Sequence, residues 1–458
     1  MTRDPVVIVI GGGVAGLAAA SELGHTGVAV CLVEARERIG GRVFTQRIPG
    51  CDVPIELGAE FIHGRPREIL VPLERAGIQL TEVSGDSWCV SDGRLSRCDF
   101  WSQVEEVLEK MDDSRPDESF VAFLDRCFGN PKNEAESNVR EHVLGYVSGF
   151  NAADPALVGV HWLVQQTRAE ERIGGDHSYR ARNGYADLLD VFQKQMEAGG
   201  VTLRTQAAVE KVKWRQGNAE VSFHERTGSS SLEAPRVLIT LPLAILKASR
   251  GEACAVEFTP SLPQRKLEAL DKMEMGKVIR IVLRFRERFW GKVQPRGSGG
   301  SNLAEMSFLF SEDEYVPTWW TTMPRVSPVI TGWAPFRSAE RLSGKSREFV
   351  IEQALKSLST ALKMSPKELD RLLEGAYFHD WQSDPFSRGA YSYGKVGAVE
   401  AEKVIAEPVD DTLFFAGEAT DTSGNNGTVH GAIASGKRAA KQILQGLEFV
   451  RSRATIAV

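Results

Sequence analysis

Three glycines, Gly11, Gly13 and Gly16, follow five apolar residues, Val6 to Ile10, and lead straight into an alanine-rich run. This order forces a buried strand to turn sharply into a helix. Gly11 permits the turn, Gly13 lets a ligand approach the backbone, and Gly16 lets the helix pack close to the strand. The helix amino end then presents N–H groups without intrahelical partners, which suits a pyrophosphate. A second apolar run, Val28 to Val33, ends in Glu34. That acid falls about 20 residues past the glycines, where a carboxylate grips the ribose hydroxyls of an adenine dinucleotide and disfavours a 2′-phosphate. Glycines and acid alone fit FAD and NAD equally.

Composition narrows the remaining possibilities. The 458 residues are 42% hydrophobic and 25% charged, a globular balance that excludes disordered and collagen-like chains. A net charge of −6 offers no basic field to a nucleic-acid backbone. No run reaches the ~20 apolar residues of a membrane span, and Val6 to Ile10 is too short for a signal-peptide core. The six cysteines (Cys31, Cys51, Cys89, Cys98, Cys127, Cys254) show neither CxxC nor CxxH spacing. They imply no zinc site and no disulfide framework, and a reduced, cytoplasmic setting is expected. His142, His161, His177 and His379 also lack ligand spacing, so no metal is expected. No heptad or charge run advertises a subunit interface.

Changes of pattern divide the chain. Residues 1–65, 184–259 and 391–458 read as one discontinuous α/β unit built on parallel strands. Residues 66–183 read as a mainly helical insertion, because Val104, Val107 and Leu108, then Phe120, Phe123 and Leu124, recur at helical spacing. Residues 260–390, with an alternating strand from Val278 to Phe285 and a helix from Phe349 to Leu362, read as an α+β unit. The expected fold class is therefore α/β, a Rossmann-like dinucleotide-binding domain with an α+β substrate domain and a helical insertion.

Shortly after Glu34 come Arg36, Gly40, Gly41 and Arg42, a second glycine pair beside a guanidinium that matches phosphate geometry. At this point the chain resembles the flavin-containing amine oxidase superfamily, which includes monoamine oxidases, polyamine oxidases and lysine-specific histone demethylase. The resemblance runs through nearly the whole chain. The segment from Glu56 to Gly64 is similar to one that runs beneath the flavin ring, and Val209 is similar to a valine at the adenine end. Val237 to Pro242 resembles a strand and proline turn near the cofactor. Trp381 to Tyr393 resembles the demethylase and polyamine-oxidase branch, and Phe414 to Ile433 completes the pattern. The resemblance implies an FAD-binding domain of glutathione-reductase type. The implied FAD contacts are Gly11, Gly13, Gly16, Glu34, Arg36, Gly41, Arg42, Gly58, Ala59, Glu60, Phe61, Val209, Trp381, Gly417, Glu418, Thr428 and Val429. Ala390 stands where monoamine oxidases carry a flavin-linking cysteine, so the FAD is expected to be non-covalent.

The resemblance also implies the reacting end. Tyr391 stands at one wall of the family's aromatic cage, and Thr428 replaces the aromatic of the opposite wall. Arg280 occupies the place of the lysine that holds a water at flavin N5, and a guanidinium of pKa above ~12 cannot act as a base. Lys277, three residues earlier, falls on the opposite strand face. His63 stands at the active-site entrance in related polyamine oxidases, or is a packed core histidine. Glu60 is either an anchor for a distal ammonium or a solvated loop acid. Trp319, Trp320 and Trp333 read as core near the substrate cavity.

The implied activity is FAD-dependent oxidation of an amine, polyamine-like or another primary or secondary amine. Hydride leaves the α-carbon, the imine hydrolyses to an aldehyde, and O2 is reduced to H2O2. Arg280 and Thr428 motivate an alternative, a flavin desaturase or dehydrogenase acting on a non-amine with another electron acceptor. A scaffold with structural FAD is a third reading.

Overall fold

The first apolar run forms the strand Val7–Ile10, buried at all four residues, as a parallel strand covered on both faces must be. In the computed structural model, which describes residues 4–91, 93–98, 100–295 and 302–456, this strand is the centre of a five-stranded parallel sheet. The order is Thr202–Arg204, Val30–Val33, Val7–Ile10, Arg236–Ile239 and Leu413–Phe415. Alternate residues supply two separate cores. Val7, Val9, Val30 and Leu32 face a helical layer that contributes Leu17, Leu188, Phe192 and Ile433. Ile8, Ile10, Cys31 and Val33 face a β-layer that contributes Val212, Val221 and Phe223. That layer is the meander Ala208–Arg215, Asn218–Glu225 and Gly228–Ala234, joined by Glu257–Thr259.

Small residues set the helix spacing on the first face. Helix Val14–His25 crosses the long carboxy-terminal helix Val429–Ile456 where Gly436 meets Ala15. A Cβ on Gly436 would sit 2.2 Å from the Ala15 carbonyl oxygen. The close crossing brings both helix amino ends to the same edge of the sheet.

A second sheet has seven strands, ordered Leu373–Asp380, Val278–Phe285, Val329–Pro335, Thr318–Thr321, Met306–Phe310, Asp86–Ser91 and Arg94–Arg97. Helix Arg347–Leu362 covers it through Val350, Ala354 and Leu358. Five of these strands come from 260–390. The last two form a hairpin from the stretch read as helical. That stretch does hold the helices Phe120–Phe128, Glu134–Phe150 and Val160–Ile173, but it also supplies Leu80–Glu82 and Ser178–Ala181 to a small sheet with Ile62–His63.

The hairpin corrects the reading of the cysteines. Cys89 on its first strand and Cys98 just past its second have Cα atoms 5.6 Å apart and form a disulfide. They stand nine residues apart in sequence, and the hairpin turn brings them together, which leaves no CxxC-like signature. Cys31, Cys51, Cys127 and Cys254 are free. Among the described residues no helix is long and apolar enough to cross a membrane, and no group of His, Cys, Asp or Glu could hold a metal ion.

Candidate active site

A cavity of about 1040 Å3 runs from the carboxyl end of the five-stranded sheet to the inner strands of the seven-stranded one. At the sheet end, Gly11 has φ +104°, and a Cβ there would meet Thr240 Oγ1 at 2.7 Å. Thr240 donates that hydroxyl to the carbonyls of Ile10 and Gly11 at 2.8 and 2.9 Å, fixing the turn from behind. A Cβ on Gly16 would lie 2.0 Å from the Gly11 carbonyl oxygen, so this glycine serves packing and does not line the cavity. Gly13 is different: a Cβ there meets nothing within 4 Å and would enter the cavity. Gly13 is also the N-cap of Val14–His25 and makes no side-chain cap. The first N–H groups of that helix are left for an anion.

Glu34 is buried, and its two oxygens accept from Gly12 N at 2.6 Å and Arg36 N at 2.8 Å. Each oxygen keeps a lone pair, which a ribose hydroxyl can use. Arg36 lines the cavity but gives Nη2 to Asp384 Oδ1 at 2.6 Å and to Ser387 Oγ at 2.9 Å. Val209 lines the same end.

Arg42 and Glu418 bind each other across the middle of the cavity. Arg42 Nη1 donates to Glu418 Oε1 and to the Ala390 carbonyl, both at 2.8 Å. Glu418 Oε2 accepts from Ser392 Oγ at 2.5 Å and Gly427 N at 3.0 Å. Gly58, Ala59, Phe61, Trp381, Gly417 and Val429 line this part. A Cβ on Gly58 would fall 1.8 Å from the Arg42 carbonyl oxygen, so only glycine fits there.

At the far end Arg280, 4% exposed, donates from Nη1 to the Gly58 carbonyl at 3.0 Å and pairs through Nη2 with Glu60. Glu60 also accepts from Arg180 Nε at 2.5 Å and Trp320 Nε1 at 2.9 Å. Burial by itself would raise the Glu60 carboxyl, but the Arg280 and Arg180 guanidiniums outweigh it and hold the group below the usual carboxylate range. Glu60 is therefore neither a solvated loop acid nor a free ammonium anchor. Lys277 pairs with Glu340 at 2.7 Å and does not line the cavity.

Tyr391 lines the cavity with its hydroxyl donated to the Phe150 carbonyl at 2.7 Å. Thr428 also lines it, but its hydroxyl serves the start of the last helix, donating to the Asn425 carbonyl at 2.7 Å and accepting from Gly431 N at 3.0 Å. Trp320 and Trp333, with ring centroids 5.6 Å apart, are cavity walls, whereas Trp319 is fully buried in the core. His63 lines the cavity with Nδ1 3.2 Å from Ser178 Oγ, and burial pushes its pKa down to about 4.

Several cavity residues had no sequence signal of their own. His430, its Nε2 3.0 Å from Asn425 Oδ1, is pushed down to about 3 by burial and by His63. Tyr146 and Phe150 stack at 5.4 Å on one helix, and Gln166 and Glu170 come from the next. Burial raises the Glu170 carboxyl to about 7. Both pairs are four residues apart, a spacing that puts them on one helix face, and that spacing was the available clue.

The profile of the family described as flavin containing amine oxidoreductase matches residues 14–444. Polyamine oxidase 2 of Arabidopsis thaliana is 29% identical over 469 residues, covering 96% of this chain and 88% of its own length. Lysine-specific histone demethylase 1 homolog 2 of the same plant is also 29% identical, covering 97% of this chain, which spans only 59% of that longer protein. Among solved structures, a putrescine oxidase bound to putrescine superposes with a TM-score of 0.78 at 21% identity, over 97% of this chain and all of its own. Cyclohexylamine oxidase from Brevibacterium oxydans IH-35A superposes at 0.76 with 20% identity, over 97% of this chain and all of its own. The chain belongs to the flavin-containing amine oxidoreductase family, on its polyamine oxidase and lysine-specific demethylase branch, and is a flavin-dependent oxidoreductase.

Proposed function

We propose that the protein is an FAD-dependent amine oxidase that binds its FAD without a covalent bond in a Rossmann-like cleft. The observation that carries this reading is one cavity with an uncapped helix amino end and Glu34 at one extremity and the Tyr391, Trp320 and Trp333 walls at the other. The residues present fit the cofactor. Gly11, Gly13 and the first turn of Val14–His25 would hold the pyrophosphate, Glu34 the ribose, and Val209 the adenine. Arg42, Glu418, Gly58 to Phe61, Trp381, Thr428 and Val429 would surround the ribityl chain and ring. The cysteine lining the cavity, Cys254, lies by Arg388, Asp384 and Arg36 at the adenine end, away from any ring attachment.

When bound, FAD supplies the acceptor for a hydride from the α-carbon of the amine, and O2 takes the electrons onward to give H2O2. The chain's residues select and orient that amine. Glu82, Glu105, Glu109, Glu170, Glu171 and Asp176 line the cavity and draw in a cation. Tyr391, Trp320 and Phe61 exclude water around the reacting carbon, and an apolar enclosure favours the neutral amine over its ammonium. His63 and His430, both neutral at pH 7, accept hydrogen bonds without repelling a cation. The test is acid precipitation of purified yellow protein followed by a peroxide assay with amines. FAD in the supernatant and amine-dependent peroxide support the reading, and colour retained by the pellet contradicts non-covalent binding.

The occupied nitrogens of Arg280 favour a second reading of the electron acceptor. Its head is tied to Gly58 and Glu60, unlike a free lysine, so slow reoxidation by air with fast reoxidation by a quinone dye would assign a dehydrogenase.

A further inference from the structure

No motif marks Arg180, and it does not line the cavity. It stands on strand Ser178–Ala181 and commits all three nitrogens. Nε donates to Glu60 Oε1 at 2.5 Å, Nη1 to the Met323 carbonyl at 2.9 Å, and Nη2 to the Thr321 carbonyl at 3.0 Å. Its guanidinium also covers the Phe61 ring at 4.7 Å. Two carbonyls of a rigid sheet corner thus fix Arg180, and Arg180 fixes one oxygen of Glu60. The other oxygen of Glu60 accepts from both Arg280 and Trp320 Nε1. Arg280 is then held by Gly58 and Glu60, with only Nε unpartnered.

Such a chain transmits position. A carboxylate between two guanidiniums has its rotamer set by both, and a buried Arg280 that lost Glu60 would be drawn to another acceptor. Resting on the reading above, we propose that Arg180 is a positioning residue that acts through Glu60 to hold Arg280 at the flavin end of the cavity. It thereby sets how fast the reduced flavin passes electrons on, without touching substrate or cofactor. Arg180 acts on the cavity through Glu60, Arg280 and the Phe61 ring, whereas Tyr391 and Trp333 are held by the Phe150 and Gly149 carbonyls, so the amine end is disturbed less than Arg280.

One further charge faces the cluster. Glu56, on strand Ile55–Glu56, interacts electrostatically with both Arg280 and Glu60, and burial raises it to about 7. Measurements at one fixed pH well above that value keep Glu56 ionised throughout.

The experiment uses the flavin-loaded protein and its Arg180→Met, Arg180→Lys, Glu60→Gln and Arg180→Met/Glu60→Gln variants. The visible spectrum of bound flavin is recorded. The flavin is then photoreduced, which needs no amine, and mixed with O2 or a quinone dye. Arg180→Met and Glu60→Gln should each slow reoxidation ~10-fold, the size of effect expected of a displaced active-site group. Each should also shift the flavin bands, and each should slow anaerobic reduction by an amine less than it slows reoxidation. The double variant should be no slower than Glu60→Gln alone, because one residue works through the other. Arg180→Lys, which keeps the charge, should recover much of the native rate, and should have no effect once Glu60 is Gln. Additive losses, native spectra in both single variants, or equal slowing of reduction and reoxidation would overturn the proposal. Should Arg180→Met fail to hold flavin, Arg180→Lys measured with and without Glu60→Gln decides the same question. If no amine reduces the flavin, the amine reading fails while the photoreduction arms still report on the relay.

Discussion

Arg280 and Gly58 meet through a single hydrogen bond, Nη1 to the carbonyl at 3.0 Å, at a glycine whose Cβ the Arg42 carbonyl forbids. A side chain is thereby anchored to backbone that cannot move away. Arg280→Lys keeps a charge on Glu60 but gives up the fork, and introduces a group whose pKa burial can lower. Reoxidation of the reduced flavin should become faster by ~10-fold or more, toward the range of a positioned acid–base group. Stopped-flow mixing with O2 measures it, and an unchanged rate removes Arg280 from that role.

Gly13 and Gly16 should separate cofactor binding from folding. Gly13→Ala adds a methyl to open cavity space, so the apo protein should melt within ~0.5 kcal/mol of native. Its FAD affinity should fall by at least ~10-fold, because the pyrophosphate loses its approach to the backbone. Gly16→Ala drives a methyl onto the Gly11 carbonyl and should destabilise the apo protein by about 1–3 kcal/mol as an overpacked site. Calorimetry of the apo forms with FAD titration checks both, and equal apo stabilities would contradict the distinction.

Glu56 gives the stability a pH signature. Its folded pKa is raised, from 4.5 to about 7, chiefly by burial. The extra stability is therefore complete below 4.5 and is lost as pH rises through 7. Glu56→Gln cannot ionise, so relative to native it should gain roughly 2–3 kcal/mol between pH 4.5 and 8. His63 and His430, whose folded values are depressed, act oppositely, losing stability as pH falls below 6.5. They are common to both proteins and cancel in the difference. A variant-minus-native difference that is flat with pH would show Glu56 to be ionised throughout.

The Cys89–Cys98 bond closes a short loop at the sheet edge. Removing it with paired serines should cost about 2–3 kcal/mol by the chain-entropy estimate for a loop of that size. Thiol titration of unfolded protein prepared without reductant should count the four free cysteines, and six would mean the bond does not form.

The glycine turn and its acid were legible because their requirements are local. A strand, three glycines, a helix and one acid all lie between Val7 and Glu34, and each answers a backbone demand visible in the residue type. Tyr391, Trp381 and Glu418 were legible only through resemblance to a family, since nothing adjacent in sequence says that these residues meet. The Arg180, Glu60 and Arg280 chain was not legible at all. It joins two strands and the loop before Ile62–His63, all from distant stretches, and the charges that define it look like ordinary surface residues until the sheets bury them. The hairpin at Asp86–Ser91 and Arg94–Arg97 escaped for a different reason. Its second strand alternates weakly, with Arg94, Ser96 and Arg97 exposed, and strong helical periodicity follows it.

The most direct measurement is anaerobic titration of the purified protein with a panel of monoamines, diamines, polyamines and methylated lysine peptides, following the visible flavin band. Bleaching by at least one amine, reversed on admitting air or a dye, is the result this account predicts. A protein that folds without taking up FAD, or whose bound FAD keeps its colour with every amine yet bleaches with a neutral compound, would contradict it.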